Sequence, residues 1–213
     1  MVLNYHKVEA KRDPRIKLAV SDGHFATTHS HITSYMELSG MRTDSREAML
    51  VARLLAEDFS ARAKVDTIVC MDGTEVIGAY LAQELTKDGF MSVNHGNVIH
   101  IISPEYNMAG QILFRDNVQH AIKGMNAFVL MGSLTTGKTL ETVIECLTYY
   151  GATISGAAAI FSAEREVKGI PIDAIFYKED VPEYASYKQQ DCPMCKAKKP
   201  VNALVNSFGF SAL

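Results

Sequence analysis

Residues 132–139 read Gly-Ser-Leu-Thr-Thr-Gly-Lys-Thr, the spacing G-x-x-x-x-G-K-[ST] of a loop that wraps phosphates in backbone amides and a lysine. The residue types suit an anion: Gly137 lets the backbone approach, Thr135, Thr136 and Thr139 add hydroxyl donors, and Lys138 adds positive charge. A second turn with chemical potential, Asp72-Gly73-Thr74-Glu75, follows the apolar run "DTIVCM". Near the C-terminus, Cys192 and Cys195 in "CPMC" make half of a zinc-ribbon pattern. No second CxxC or HxxxH follows to complete four ligands, so a structural turn without zinc is expected. His29 and His31 form an i, i+2 pair that also has metal-ligand spacing, with a polar loop carrying two exposed imidazoles as the plainer reading. Cys70 and Cys146 lie inside apolar segments and read as reduced core residues.

These turns must be held by a regular scaffold. Residues 44–63, "DSREAMLVARLLAEDFSARA", put Asp44 at an N-cap, Glu47 three residues on, and Val51, Leu54, Leu55 and Phe59 at helical spacing. "DTIVCM" (66–71) reads as a strand, then the Gly-containing turn, then a helix over "VIGAYLAQELTKDG" (76–89). "NVIHII" (97–102), "NAFVLM" (126–131) and "ATISGAAAIFSA" (152–163) read as further strands. The helix "KTLETVIECLTYY" is stopped by Gly151, and "GIPIDAIFYKEDVPEY" (169–184) gives one more strand and a polar exit. Alternating strands and helices predict an α/β fold, a mostly parallel twisted sheet flanked by helices on both faces. In such a sheet ligands bind beyond the carboxyl ends of the strands, where both candidate turns fall. The intervening segment 103–124 is long and polar, and is expected to be a mobile flap rather than core.

Composition narrows the class. At 213 residues the chain suits one domain: an arm and hood over 1–43, an α/β core over 44–180 and a tail over 181–213. A net charge of −3 gives no electrostatic reason to expect nucleic acid or an acidic membrane as partner. No apolar run approaches the ~18 residues of a membrane span, and "MVLNYHKVEAKRDPR" lacks the apolar centre of a signal peptide, so a cytoplasmic protein is expected.

An ATPase carrying this loop also needs a downstream apolar strand ending in an acid that holds Mg²⁺, and here "TIVCMD" lies upstream. The whole segment "FVLMGSLTTGKTLETVIECLTYYGATISGAAAI" instead resembles the phosphoribosyl-pyrophosphate loop of type I phosphoribosyltransferases: strand, Thr-Thr-Gly-x-Thr, amphipathic helix, Gly-Ala, strand. "GHFATTHSHITSYMEL" resembles the opening of the orotate phosphoribosyltransferases, and "GIPIDAIFYKEDVPEY" with "CPMCKAKKP" resembles their C-terminal segment. The resemblance covers roughly residues 20 to 200. It implies a type I phosphoribosyltransferase-like domain with a small N-terminal hood, working as a homodimer. The implied reaction transfers a 5-phosphoribosyl group from Mg²⁺-bound phosphoribosyl pyrophosphate to a pyrimidine-type base, and zinc becomes less expected still. By resemblance, Gly132, Ser133, Leu134 and Thr135 to Thr139 hold the 5′-phosphate and ribose, and Asp72 to Glu75 form the pyrophosphate turn. Phe25, Tyr35 and Met36 fall in the base pocket, and His31 falls near a basic position that contacts the donor.

The pattern is broken at its charges. Where the family places two adjacent acids before Thr-Thr-Gly, this chain has Gly132 and Ser133. Where the family's flap carries Glu-Arg and Gly-Lys, it has Glu105-Tyr106 and Gly110-Gln111, leaving Arg115 as the flap's substitute cation. The arginine that reads the orotate carboxylate should fall near Ala163, and Arg165 comes two positions later. Two readings therefore stand: a phosphoribosyltransferase, or a catalytically degenerate nucleotide or phosphoribosyl-ligand binder with a regulatory role.

Overall fold

The structure is a computed structural model that describes residues 3–59, 61–87, 92–206 and 209–213. The chain opens with an antiparallel meander of β1 (His6–Glu9), β2 (Lys17–Ala26) and β3 (His31–Glu37). Two helices follow, α1 (Ser39–Thr43) and α2 (Ser45–Phe59). Asp44 caps the second as its sequence position predicts, its Oδ1 accepting from the amides of Arg46 (2.8 Å) and Glu47 (3.3 Å). The α/β core then runs β4 (Thr67–Cys70), α3 (Glu75–Thr86) and β5 (His100–Ile102). A small hairpin, β6 (Glu105–Tyr106) and β7 (Ile112–Leu113), precedes β8 (Asn126–Leu134), α4 (Lys138–Tyr149) and β9 (Thr153–Ser162). The hairpin β10 (Glu166–Val167) and β11 (Ile170–Tyr177) closes the core. Last come β12 (Ser186–Tyr187), α5 (Pro193–Lys196), β13 (Ala203–Asn206) and β14 (Gly209–Ala212).

The core sheet has the order β10-β11-β9-β8-β4-β5, with every pair parallel except the β10–β11 hairpin. Alternation along its strands sorts the side chains between two faces. Ile68, Phe128, Leu130, Ala158 and Ile160 pack with Val51, Leu55 and Leu81 of α2 and α3. Val69, Val129, Met131, Ala157 and Ala159 pack with Val143 and Leu147 of α4. Both faces are thus covered, which is why these strands read as nearly continuous apolar runs.

Several boundaries differ from the sequence expectation. The first long helix ends at Phe59, whose carbonyl accepts from Arg62 and Ala63, and Ser60 lies outside the described residues. The next ends at Thr86, and the last two positions expected for it, 88 and 89, also lie outside them. The strand expected over 97–102 shrinks to three residues because a turn from Asn94 to Asn97 precedes it. β8 is longer than expected and carries Gly132 and Ser133 as strand residues. Segment 103–124 is not wholly a flap: Phe114, Ala121 and Ile122 are buried, the first and last against the α4 side of the sheet.

The hood is not the work of the N-terminal segment alone. Its six-stranded sheet has the order β12-β3-β2-β13-β14 with β1 on β2, so residues read as a C-terminal tail complete it. β13 buries Ala203 and Val205 and exposes Leu204 and Asn206, the alternation of a half-buried strand. Among the described residues no helix is long and apolar enough to cross a membrane.

Candidate functional site

The phosphate-type loop joins β8 to α4. Gly137 sits at the N-cap of α4 with φ of 76°, a left-handed conformation, and a Cβ there would lie 2.8 Å from Val167 Cγ2. Glycine is therefore required for both backbone and space. Among the described residues no side chain caps α4, so its first amides are left to a ligand, where the helix dipole favours an anion. Ser133, Thr135, Thr136, Gly137, Lys138 and Thr139 line one wall of a cleft of about 820 Å³. Leu134 lines it as well, but its side chain is buried in the core, so what it offers the cleft is backbone.

Parallel pairing of β4 with β8 brings the second turn alongside the first. Asp72, at φ of 59°, aims its carboxylate at β8, and Oδ2 accepts from the Gly132 amide at 3.2 Å. Burial pushes the Asp72 carboxyl above the usual range, against the opposing pull of the Ser133 and Gly132 amides and of Arg42. A side chain at Gly132 would be tight: a Cβ would lie 3.0 Å from Asp72 Cβ, so that Asp72 would have to give by a few tenths of an ångström, and at ordinary contact distance, 3.6 Å, from Leu38 Cδ1. Of the four turn residues, Asp72 alone lines the cleft. Gly73 turns at φ of 75°, Thr74 donates its hydroxyl to the carbonyl of Met71 (2.8 Å), and Glu75 accepts from the Ser103 hydroxyl (2.6 Å).

The hood supplies the opposite wall. Tyr35 and Met36 line the cleft together with Ile32 and Leu38. Tyr35 donates its hydroxyl to Glu37 Oε2 at 3.2 Å, and burial, then the Glu37 charge, push that phenol's pKa up. Phe25 is fully buried behind this wall, its ring centroid 6.0 Å from that of Tyr35, so it supports the pocket without facing it.

The remaining expected site residues lie elsewhere. Arg165 is paired with Glu179 at 3.0 Å and lies over the Tyr177 ring, 3.4 Å from its centroid, away from the cleft. Arg115 is bound to Glu105 through Nε (2.9 Å) and Nη2 (2.8 Å). Gln111 accepts from the Asn107 side chain at 2.8 Å within the hairpin loop, whose Tyr106, Ala109, Gly110 and Ile112 line the cleft instead.

The Thr/Ser-rich turn that the resemblance places at the base pocket, Thr27–Ser30, is closed by the Thr27 amide on the Ser30 carbonyl (2.8 Å) and forms part of the rim. Sequence reading missed two contributions. Arg42 of α1 lines the cleft and donates from Nη1 to the carbonyl oxygen of Asp72. Val205, Asn206 and Gly209 arrive from the C-terminal strands. The alternation of "ALVN" was a legible strand signal for the last of these, whereas nothing in the spacing around Arg42 pointed to a ligand.

His31 does not reach the cleft. It is buried at 7% exposure, and its Nδ1 lies 2.9 Å from Nε2 of His24. His29 is exposed, so the His29–His31 pair is not a unit. The ligand count behind the expectation of no zinc is also corrected. His24, His31, Cys192 and Cys195 converge, with one ligand atom from each lying within 4.8 Å of all the others. Strand pairing makes this possible, because the two histidines come from β2 and β3 and the two cysteines from α5 and its N-cap.

No protein-family profile matches the chain. Among curated proteins it is similar to the orotate phosphoribosyltransferase of Chlorobium phaeobacteroides, 25% identical over 195 residues that cover 87% of this chain and 88% of the relative. The orotate phosphoribosyltransferase of Chlorobaculum parvum is 23% identical over 194 residues, with the same coverage of 87% and 88%. Among solved structures, UMP synthase of Leishmania donovani superposes with a TM-score of 0.55 at 18% identity, covering 75% of this chain. The chain spans about a third of that longer protein, 34% of its length. Orotate phosphoribosyltransferase of Aeropyrum pernix gives a TM-score of 0.53 at 16% identity, covering 75% of this chain and 88% of that one. The Mycobacterium tuberculosis orotate phosphoribosyltransferase in complex with phosphoribosyl diphosphate gives 0.51 at 17% identity, covering 69% and 82%. The expected α/β fold with flanking helices is the fold observed, and the chain resembles orotate phosphoribosyltransferases in sequence.

Proposed function

We propose that this chain, which resembles orotate phosphoribosyltransferases and has their fold, binds a phosphoribosyl ligand in the cleft between hood and core. The observation that carries the reading is the α4 N-terminus, which no side chain among the described residues caps and which opens through Ser133 to Thr139 into a cleft of about 820 Å³. The 5′-phosphate sits on the amides of that terminus and the hydroxyls of Thr135, Thr136 and Thr139, with Lys138 adding charge. A diphosphate at the anomeric carbon faces Asp72 and Arg42, and a pyrimidine-type base lies against Ile32, Tyr35 and Met36.

Mg²⁺ characteristically binds one or two carboxylates together with substrate phosphates and water. Asp72 and Glu141 are the carboxylates lining the cleft, so the donor set fits a metal carried in by the diphosphate and met by Asp72. Bound there, Mg²⁺ supplies charge neutralisation at the diphosphate. Asp72, Arg42 and Lys138 orient the donor.

Turnover with orotate is proposed to be slow. Binding through the 5′-phosphate is shared by ground and transition states and does not by itself raise the chemical rate. Rate depends on charge placed against the leaving diphosphate. Arg115 is engaged by Glu105, and Gln111 is neutral and engaged by Asn107. Those two contacts favour the second reading, a ligand binder with a regulatory role, over an efficient transferase. Homodimer formation and a cytoplasmic location belong to the same proposal, on the strength of the resemblance.

Titration calorimetry with phosphoribosyl pyrophosphate and Mg²⁺, ribose 5-phosphate and pyrimidine 5′-monophosphates tests the reading, followed by an orotate consumption assay. Binding of the phosphorylated ribosyl compounds with slow consumption is expected. Absence of binding by all of them overturns it.

A further inference from the structure

The cluster of His24, His31, Cys192 and Cys195 stands apart from the cleft chemistry and does not depend on the phosphoribosyl reading. We propose that these four side chains bind one structural Zn²⁺ that fastens the C-terminal segment to the hood. Cys192 Sγ and Cys195 Sγ each lie 3.6 Å from His24 Nε2, and Cys195 Sγ lies 3.3 Å from His31 Nδ1. Zn–N bonds of about 2.0–2.1 Å and Zn–S bonds of about 2.3 Å place nitrogen and sulfur about 3.5 Å apart in a tetrahedron. The three nitrogen–sulfur separations have those dimensions, and the two nitrogens, His24 Nε2 and His31 Nδ1, at 2.9 Å, need to part by a few tenths of an ångström to reach the ~3.3 Å edge that the same Zn–N bonds set.

The ring orientation of His24 points the same way. Its Nδ1 lies 3.0 Å from the Lys199 carbonyl and 3.2 Å from the Pro200 carbonyl. Carbonyl oxygens only accept, so the proton of the neutral ring resides on Nδ1 and Nε2 presents its lone pair to the cluster. A histidine that donates its outer nitrogen to backbone while its inner nitrogen faces the ion is the usual support of a metal ligand.

Charge and burial also agree with zinc. Cys192 is fully buried, His24 and His31 are 3% and 7% exposed, and Cys195 is half-buried. On binding, the two thiols release their protons to solvent, and two thiolates with two neutral imidazoles balance Zn²⁺ to zero net charge. A neutral site avoids the cost of a buried net charge. Four protein ligands close the coordination sphere, so the site is structural rather than catalytic.

The attachment reaches the hood side of the cleft at two places. His24 and His31 flank the Thr27–Ser30 turn on the rim. The cysteines lead into Asn202, which exchanges 2.7 Å hydrogen bonds with the His24 backbone in both directions, and then into β13, which pairs with β2 and brings Val205 and Asn206 to the cleft. The metal therefore sets the spacing of rim and C-terminal wall.

The test uses the full chain, untagged, purified under reducing conditions without chelator, with elemental analysis and thiol titration. One zinc per chain is expected, with a fall in melting temperature on chelation that Zn²⁺ reverses. Co²⁺ added to the stripped chain should give the thiolate charge-transfer and tetrahedral ligand-field bands, read directly on the unaltered protein. Cys195→Ser and His31→Asn should each lose the zinc. If either variant fails to fold, the cobalt spectrum of the unaltered chain still decides. A reduced chain that retains no zinc and takes up neither metal overturns the proposal, as does full zinc retention in a Cys192→Ser/Cys195→Ser variant.

Discussion

The Asp72 carboxylate accepts a hydrogen bond from the Gly132 amide at 3.2 Å, so an acid from the turn after β4 occupies the space beside a glycine of β8. This relationship accounts for one of the departures seen in the sequence. The first of the two acids expected before Thr-Thr-Gly is absent from position 132, where a Cβ would lie 3.0 Å from Asp72 Cβ, and the turn after β4 supplies a carboxylate to the cleft instead.

Asp72→Asn should stabilise the protein at neutral pH while weakening binding of Mg²⁺ with phosphoribosyl pyrophosphate. Burial raises the folded-state pKa of Asp72 above its unfolded value, so the folded chain holds the proton more tightly. The associated stability is present below the unfolded pKa, about 3.9, and is lost as the pH rises through the raised folded value. Asparagine keeps an acceptor for the Gly132 amide, tolerates the left-handed conformation and carries no charge. Melting curves should show a gain at pH 7 that shrinks toward acid. A loss that grows with pH contradicts the assignment.

Restoring acids at positions 132 and 133 should have opposite outcomes. Gly132→Asp crowds Asp72 and sets a second carboxylate beside it, and should cost about 1–3 kcal/mol of stability, as overpacking does. Ser133→Asp, on the cleft wall, should tighten phosphoribosyl pyrophosphate binding with Mg²⁺ by ~1.5 kcal/mol through charged hydrogen bonds to ribose. Denaturant titration and calorimetry measure the two effects separately. Equal tolerance at both positions contradicts the geometry.

Arg42→Gln should weaken phosphoribosyl pyrophosphate binding by about 1.5–3 kcal/mol, roughly ten- to a hundredfold in Kd, and should affect ribose 5-phosphate far less. Arg42 lines the cleft beside Asp72, to whose carbonyl it donates, rather than beside the α4 terminus. Equal losses for both ligands would move Arg42 to the 5′-phosphate.

Much of the fold was legible because the core strands are apolar on both sides and the helices carry one-sided apolar stripes. The run "TIVC" and the Asp44 cap needed no tertiary information. The hood was less legible, since its six strands come from both ends of the chain and pair over long separations, as Ala203 with Phe25 does. The site divided in the same way. The Gly137 turn was readable from residue types, because its chemistry is local. Arg42 and the His24–His31–Cys192–Cys195 cluster were not, because the first depends on α1 lying beside the Asp72 turn and the second on which strands lie side by side. Arg165 and Arg115 were assigned from sequence offsets, and surface carboxylates engage them instead.

Sedimentation at micromolar concentration should give a dimer. Phosphoribosyltransferase-like pairing is part of the proposed reading, and a clean monomer would remove it without touching the phosphate site.

The central claim is that the β8–α4 loop holds a 5′-phosphate, and calorimetric titration of phosphoribosyl pyrophosphate into the unaltered chain and into Thr136→Val/Thr139→Val tests it most directly. Valine keeps the volume and removes the hydroxyl donors that line the cleft. Two lost hydrogen bonds to a charged group, ~1.5–3 kcal/mol each, should reduce the affinity by a hundredfold or more. The same Kd in both proteins would contradict the account.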